Sequence, residues 1–177
     1  YQLNKDKDEL LGIDSNNYER VTFHPDYSYA NFVGCYKPVS VLNQETRKKE
    51  IEYKYVPGPF LRTLVKAIKS ANSYYPQNYL LIIEEINRAN VAAVFGDVFQ
   101  LLDRKNGVSE YPIQTPEDMR QYLADKLGGN PDNYETIRIP NNMYIWATMN
   151  SADQGVFPMD TAFKRRWDFT YLDINNN

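Results

Sequence analysis

The stretch of sequence that decides the fold is Tyr79-Leu80-Leu81-Ile82-Ile83-Glu84-Glu85-Ile86-Asn87-Arg88. Its first five residues are largely apolar and lack helical spacing, which predicts a fully buried parallel strand. Two acids follow at once, so carboxylates lie at the C-terminal end of this strand. In an open α/β sheet, ligands bind in the crevice outside the carboxyl ends of the strands. Taken alone, such a run occurs often by chance, and a buried strand leading into a solvated acidic loop is the simpler interpretation.

A second run, residues 143–149, is also apolar, and it ends in Asn150-Ser151-Ala152-Asp153. Beyond it, Pro158 opens a short helical pattern that closes with Lys164-Arg165-Arg166. Polar groups therefore stand at the ends of two strands, ahead of a basic helix. Paired acids at a strand end suit a nucleoside triphosphatase, in which the first acid holds Mg²⁺ and the second polarises a water aimed at the γ-phosphate.

The order strand-Glu-Glu, strand-Asn and helix-Arg-Arg resembles the Walker B, sensor 1 and arginine-finger elements of AAA+ ATPases. Within that superfamily the sequence looks most like the motor subunit of the McrBC modification-dependent restriction systems. The resemblance covers about residues 21–169 and includes segments 22–29 and 57–60. The words that carry it most specifically are Ile82-Ile83-Glu84-Glu85-Ile86-Asn87-Arg88-Ala89-Asn90, Phe95-Gly96-Asp97, Met149-Asn150-Ser151-Ala152-Asp153 and Phe163-Lys164-Arg165-Arg166-Trp167.

The resemblance implies an α/β fold, a three-layer αβα core of the AAA+ P-loop NTPase type with a mainly parallel sheet. The 177 residues contain no Gly-x-x-x-x-Gly-Lys-Ser/Thr loop. We therefore expect a partial core, an excised or truncated fragment that lacks the first strand with its phosphate loop and the C-terminal lid. We expect a linker or frayed segment over residues 1–17, the AAA+ large-subdomain fragment over 18–174, and a tail over 175–177.

The same resemblance assigns roles at the strand ends. Glu84 stands at the metal-binding acid, where the family usually has aspartate, and Glu85 matches the water-polarising base. Asn150 would hydrogen-bond the attacking water or the γ-phosphate, although a strand-end asparagine also caps turns. Arg165 and Arg166 are candidates for charge stabilisation across a subunit interface. The alternative for one of the two arginines is an ion pair with acids on its own helix face.

Three further residues of the family words are candidates. Asn87 and Arg88 are expected near the subunit interface, among the catalytic residues. Asp153 matches the family and is assigned to nucleotide binding, but Gln154 follows it where an arginine is usual. Asn150 and Asp153 also resemble the word with which small GTPases bind guanine; the position of Asn150 near the γ-phosphate argues against that role. The choice between GTP and ATP stays open.

Composition excludes several classes of protein. Hydrophobic content of 42% and charged content of 24% are those of an ordinary globular domain. No apolar run is long enough for a bilayer and no signal peptide opens the chain, so a cytoplasmic protein without a membrane partner is expected. One cysteine, Cys35, and one histidine, His24, exclude an internal disulfide and a zinc cluster. A net charge of −3 argues against a broad nucleic-acid surface.

Local patterns predict the remaining elements. Aromatic residues Phe23, Tyr27, Tyr29 and Phe32 are expected to pack together. The first predicted elements are a strand at 20–23, a β-hairpin of 37–42 and 51–56, and a helix at 60–71. The helix predicted after the central strand carries an apolar stripe of Val91, Val94, Phe95, Val98, Leu101 and Leu102. Beyond it we predict a helical insertion within 108–137 that Thr115 caps and Gly128 ends, a helix at 157–166 and a last strand at 169–172.

The resemblance favours a motor that hydrolyses GTP or ATP with Mg²⁺ and assembles as a homo-oligomeric, hexameric ring. It would power DNA restriction with a McrC-type nuclease partner, and another domain or subunit would grip the DNA. One alternative is a non-hydrolysing AAA-like scaffolding module, which is favoured by Glu84, Gln154 and the missing phosphate loop. Another is a related MoxR- or chelatase-type AAA+ remodeller.

Overall fold

The computed structural model of the chain describes residues 12–14, 16–150 and 155–172. The strands are β1 (Tyr18–Thr22), β2 (Gly34–Leu42), β3 (Lys49–Pro57), β4 (Tyr79–Glu84), β5 (Arg104–Lys105), β6 (Val108–Ser109), β7 (Ile113–Gln114), β8 (Thr136–Ile137) and β9 (Met143–Ala147). The α-helices are α1 (Tyr29–Phe32), α2 (Pro59–Ala71), α3 (Val91–Phe95), α4 (Glu117–Leu127) and α5 (Thr161–Lys164). Short 3₁₀ helices cover Ile86–Arg88, Gly96–Leu102 and Pro131–Tyr134.

A parallel sheet in the order β1-β4-β9 forms the centre of the molecule. Thr22 lies opposite Glu84 between β1 and β4, and Ile83 lies opposite Ala147 between β4 and β9. The prediction of a buried parallel strand over 79–83 is confirmed, as is the second apolar strand beside it. With helices packed on this mainly parallel sheet, the α/β class of a P-loop-type αβα fold is confirmed.

Helix α2 covers one face of the sheet, because its apolar residues form a single stripe. Phe60, Leu61 and Leu64 are completely buried in the main core. Leu81 and Ile83 of β4 point into the same core, since alternate residues of a strand share a face. The helix predicted over 60–71 is confirmed.

The opposite face of the sheet carries a smaller cluster of Ile13, Leu80 and Ile82, against which half-buried Tyr18, Tyr144 and Trp146 pack. Ile13 is only 2% exposed. It belongs to the segment expected to be a linker or frayed, but it packs against the folded body. Residues 1–11, like the tail at 175–177, lie outside the described part of the chain.

An aromatic cluster joins the helices to the sheet. Phe23 stacks on Tyr27 with ring centroids 4.6 Å apart and meets Phe32 edge to face at 5.5 Å. Phe32 in turn contacts Phe95 at 4.8 Å. Such pairs contribute beyond the area that they bury. The prediction that the aromatic residues near the start of the chain pack together is therefore confirmed.

The predicted β-hairpin is present as an antiparallel pair, β2 and β3, with Pro38 opposite Tyr53. In β3 all residues from Lys49 to Lys54 are exposed, so this part of the strand shows no alternation of buried and exposed residues. Ile51 and Tyr53 are 74% and 63% exposed, and Tyr53 stacks on exposed Tyr36. The hairpin is a separate two-stranded sheet, so its outer half lies beyond the reach of the core.

The helix predicted after the central strand is wrong in its length. Helix α3 ends at Phe95, because Gly96 adopts φ +52°, and the chain continues to Leu102 as a 3₁₀ helix. A Cβ at Gly96 would lie 2.9 Å from the ring of Tyr29, so the glycine also permits a close approach of α1. The apolar residues of the predicted stripe are nevertheless buried.

Three further features differ from the predictions: one helix boundary, one helix cap and one strand. The helix predicted over 157–166 is only Thr161–Lys164, capped by the Asp160 carboxylate, which accepts from the Phe163 N–H at 2.6 Å. Thr115 does not cap α4; its hydroxyl donates to the Tyr134 carbonyl. Residues 169–172 form no strand, since they pair with no strand among the described residues, and Tyr171 is 86% exposed.

No helix in the described ranges combines the length and apolar character required to cross a bilayer.

Gly58 provides a test of the packing between α1 and α2. It precedes α2, its N–H donates to the Val33 carbonyl at 2.8 Å, and a Cβ added there would lie 2.2 Å from the Phe32 carbonyl oxygen. We expect Gly58→Ala to lower the free energy of unfolding by about 1–3 kcal/mol through overpacking. Lys66→Ala, at an exposed position of α2, is the control and should change it by less than about 0.5 kcal/mol. Equal stability of the two variants in urea unfolding would contradict this packing.

Candidate active site

The candidate site lies at the C-terminal edge of the sheet, where β4 and β9 end side by side. The ladder continues past both strands, because Thr148 N–H donates to the Ile83 carbonyl at 2.8 Å and Ile86 N–H donates to the Thr148 carbonyl at 2.9 Å. These bonds bring the predicted residues Glu84, Glu85 and Asn150 to the same edge. The arrangement follows from parallel pairing, which places the carboxyl ends of both strands together.

Glu84 is held by two side chains of β1. Arg20 Nη2 donates to one carboxylate oxygen of Glu84 at 2.5 Å, and Thr22 Oγ1 donates to the other at 3.2 Å. The parallel register explains these contacts, because Thr22 lies directly opposite Glu84 and Arg20 is two residues earlier on the same face of β1. Both oxygens of the predicted metal-binding acid therefore have protein partners.

The two partners favour the ionised carboxylate. The hydrogen bond from Arg20 lowers the pKa of Glu84, partial burial opposes this effect, and the charge of Arg20 and the hydroxyl of Thr22 add to the lowering. The same hydrogen bond raises the pKa of Arg20. Glu84 is thus an anion at neutral pH, as a ligand of a hard cation must be.

Glu85 adopts the left-handed backbone conformation, with φ 54° and ψ 43°. This conformation costs a residue with a Cβ about 1–2 kcal/mol and is uncommon for glutamate. Its N–H donates to the Thr148 hydroxyl at 3.4 Å, and its carboxylate accepts from Arg88 Nε at 3.2 Å. The turn lifts the side chain out of the buried strand, since Ile83 is fully buried whereas the Glu85 side chain is 37% exposed.

Asn87 is a buried residue that connects the segments following β4 and β9. It is 4% exposed, and its Nδ2 donates to the Asn150 carbonyl at 3.0 Å. Its own backbone carbonyl accepts from the Phe157 N–H at 2.8 Å. One residue therefore anchors the chain on both sides of segment 151–154, which indicates a positioning role rather than contact with a reacting group.

Arg165 and Arg166, which directly follow α5, have different environments. The Arg166 side chain is only 9% exposed; its guanidinium donates to Asp103 Oδ2 and to the Ala162 carbonyl, both at 2.6 Å, and lies 4.2 Å from the centre of the Phe99 ring. Arg165 is exposed and forms no ion pair with another described residue. The ion-pair alternative applies to Arg166, although its partner belongs to another element. Arg165 is thus the candidate for contact across an interface.

The remaining predicted residues are placed as follows. Asn150 is exposed at the edge, immediately before segment 151–154. Arg88 is exposed and bridges to Glu85 within the same turn. Asp153 and Gln154 lie outside the described residues, so the roles predicted for them stay predictions.

The residues present are compatible with Mg²⁺. Within 12–14, 16–150 and 155–172, no group of three or more His, Cys, Asp or Glu side chains could cage a metal ion. Mg²⁺ does not require such a cage, because it is usually bound through one or two carboxylates together with substrate phosphates and water. Glu84 and Glu85 supply carboxylates of this kind at the sheet edge.

Sequence reasoning missed Arg20, Thr22 and Asp103. Arg20 and Thr22 share one face of a predicted strand, which is a weak signal that they act together. Periodicity does not show which strand is their neighbour, so the link to Glu84 required the sheet order. Asp103 is 63 residues from Arg166, and no local pattern connects the two.

The backbone conformation of Glu85 leads to a stability prediction. Glu85→Gly should relieve the left-handed strain, whereas Glu85→Gln keeps it while removing the same charge. We expect the glycine variant to exceed the glutamine variant in free energy of unfolding by about 1 kcal/mol, although glycine also raises the entropy of the unfolded chain. Urea unfolding of the two proteins measures the difference. A glutamine variant as stable as the glycine variant would show that Glu85 is not strained.

The arginines lead to a second prediction. Arg166→Ala should lower the free energy of unfolding by about 3 kcal/mol, because it leaves Asp103 without its partner and removes the contact with Phe99. Arg165→Ala is the matched control and should change it by less than about 0.5 kcal/mol. Thermal and urea unfolding check both values; a similar loss in both variants would contradict the assignment of a structural role to Arg166 alone.

The sequence is similar to components of two restriction systems. The chain is 48% identical to the type II restriction enzyme BsuMI component YdiS of Bacillus subtilis (strain 168), over 97% of this chain and 53% of that protein. It is 30% identical to the type IV methyl-directed restriction enzyme EcoKMcrB subunit of Escherichia coli (strain K12), over 87% of this chain and 28% of that protein. The chain therefore spans about half or less of the length of these relatives.

Among the solved structures that resemble the chain is a protein of Cytophaga hutchinsonii provisionally named an ATPase. The match covers 89% of this chain and 35% of that protein, with a TM-score of 0.43 and 18% sequence identity. The family model described as the AAA domain of the dynein-related subfamily matches residues 9–167. That match covers both strands, both acids and the arginines of the candidate site. The chain therefore belongs to the AAA domain family, in its dynein-related subfamily, and is McrB-like within it.

Proposed function

We propose that this chain is the catalytic core of a motor that hydrolyses GTP or ATP. The observation that carries the proposal is the parallel pairing of β4 with β9, which brings Glu84, Glu85 and Asn150 to one sheet edge. Acids and an amide at such an edge can orient a water molecule and bind a phosphate-bound metal. The family match supports the same reading, since AAA domains are nucleotide-dependent proteins.

Each residue at the edge has a distinct proposed task. Glu85 accepts the proton of the attacking water, which its exposed carboxylate can reach. Asn150 orients that water or the γ-phosphate through its amide. Glu84 would hold Mg²⁺, which when bound would neutralise charge on the phosphates. Asn87 positions Asn150, and Arg88 orients the Glu85 carboxylate through their ion pair.

Arg165 is proposed to act on the nucleotide of a neighbouring copy. Its side chain is exposed beyond α5, and a guanidinium group matches phosphate oxygens in a bidentate manner. An arginine supplied in trans requires a neighbouring copy of the chain, and from the family resemblance we propose that the copies form a homo-oligomeric, hexameric ring. Arg166 supports Arg165 indirectly, because its bond to Asp103 fixes the end of the helix.

The wider role is proposed from the relatives, which are a restriction enzyme component and a methyl-directed restriction enzyme subunit. We propose that nucleotide hydrolysis powers DNA restriction with a McrC-type nuclease partner. Another domain or subunit would grip the DNA, because the chain carries a net charge of −3. The nucleotide choice, GTP or ATP, is part of the proposal and is decided by turnover with each.

The role of Glu85 is tested in the full-length protein, because these 177 residues contain no phosphate loop. Glu85→Gln should retain nucleotide binding and lower turnover by about 10²-fold or more, since the amide is nearly isosteric and accepts no proton. Glu135→Gln, at an exposed position of the insertion, is the control and should keep full turnover. Turnover of Glu85→Gln within a few-fold of the wild type would exclude Glu85 as the base.

The assignment of Arg165 is tested by mixing variants. Arg165→Ala alone should lose turnover by about 10³-fold or more if it acts as a finger. Mixing it with Glu85→Gln creates interfaces that combine an intact acid with an intact arginine, and these should recover activity. Absence of recovery at every mixing ratio would restrict Arg165 to a role within one subunit.

The alternative function is a non-hydrolysing scaffolding module. It is favoured by the engagement of both Glu84 oxygens by Arg20 and Thr22, which leaves fewer lone pairs for a metal. Absence of turnover in the wild-type full-length protein, together with intact ring assembly, would favour this alternative.

A further inference from the structure

We propose that Arg20 competes with the divalent metal for the Glu84 carboxylate and thereby sets the metal affinity of the site. The inference rests on the proposed role of Glu84 as the metal-binding acid. Arg20 lies on β1, outside the family motifs at the ends of β4 and β9. The metal affinity of the site would therefore depend on a side chain of the neighbouring strand.

The geometry of β1 makes Arg20 a resident cation at the site. Arg20 lies opposite Ile82, two residues before Thr22, and points to the same face of the sheet as Thr22 and Glu84. Its long side chain therefore runs along the strand to the sheet edge. There Nη2 lies 2.5 Å from Glu84 Oε1. Thr22 holds Oε2 at 3.2 Å, so the carboxylate cannot turn away from Arg20 without losing both contacts.

Charge decides the sign of the effect. A divalent cation that binds Glu84 must either displace the Arg20 guanidinium or remain within a few ångströms of its positive charge, and both alternatives oppose binding. Arg20 also holds the side chain in one conformation, which favours binding by reducing the entropy lost. The opposition dominates, because the metal carries two charges and the conformational gain is limited to one glutamate side chain.

The same contacts give the glutamate at this position a physical reason. Its extra methylene lets the carboxylate extend sideways to both Arg20 and Thr22 on β1. An aspartate would have a shorter reach from the same backbone position. We therefore expect Glu84→Asp to weaken the pair with Arg20 and, like loss of Arg20 itself, to free the carboxylate for the metal.

The test measures Mn²⁺ binding to the full-length protein without nucleotide, followed by electron paramagnetic resonance, so that it does not depend on hydrolysis. Binding due to Glu84 is defined as the part lost in Glu84→Gln. Arg20→Gln should strengthen this part by about tenfold, and Arg20→Lys, which keeps the charge, should leave it close to the wild type. Arg62→Gln is the matched control, because Arg62 has the same 43% exposed side chain and pairs with Glu19 of β1.

The outcomes are distinct. Tighter Mn²⁺ binding in Arg20→Gln, with Arg62→Gln unchanged, supports the competition. Equal or weaker binding in Arg20→Gln overturns it. If Glu84→Gln changes Mn²⁺ binding in neither background, Glu84 is not a metal ligand and the inference falls with that role. Nucleotide turnover is measured separately, so a protein that shows the competition but hydrolyses nothing would refute the proposed function alone.

Discussion

Strand β4 pairs with a parallel strand on each side, and its residues from Leu80 to Ile83 are each 1% exposed or less. A strand buried on both faces must satisfy its backbone groups within the sheet, because no water reaches them. This constraint fixes the register of β1 and β9 against β4. It therefore also fixes which side chains meet where the three strands end.

The central stretch combines a buried strand with the residues of the candidate site. The apolar half of the central stretch stabilises the fold, and the polar half begins where the ladder ends. Glu85 marks the transition through its left-handed backbone. A strained conformation of this kind persists only where the surrounding structure holds it. Here the N–H groups of Glu85 and Ile86 hold it by donating to the hydroxyl and the carbonyl of Thr148.

The arginines illustrate a general difficulty in assigning roles to paired cations. Arg165 and Arg166 continue the turn of α5 beyond its last residue, since the Arg165 N–H donates to the Thr161 carbonyl. Adjacent residues of such a turn differ in direction by about 100°, so neighbours in sequence face different surroundings. Arg166 faces Asp103 and the Phe99 ring and is largely buried, whereas Arg165 faces outward. A basic word in the sequence therefore contains one structural and one exposed guanidinium, and only their environments distinguish them.

Several features were predictable from the sequence because they depend on local pattern. The apolar run at 79–83 predicted a buried parallel strand, and the run at 143–149 predicted a second strand. The stripe of α2 predicted its helix, and the polar residues after each run predicted the edge of the candidate site. The family words identified the AAA domain. Local pattern predicted wrong helix boundaries where a single residue determined them. Gly96 ends α3 at Phe95, and the Asp160 cap makes α5 begin only at Thr161.

Tertiary structure alone decided the partners. Periodicity states which residues share a face, but it does not state which strand or helix lies next to that face, since pairing depends on contacts between residues far apart in the chain. The bonds between Arg20 and Glu84, between Arg166 and Asp103, and between Asn87 and Asn150 each span more than 60 residues. The sequence by itself predicted the candidate site residues, whereas contacts between segments far apart in the chain determined the partners of Glu84, Asn150 and Arg166.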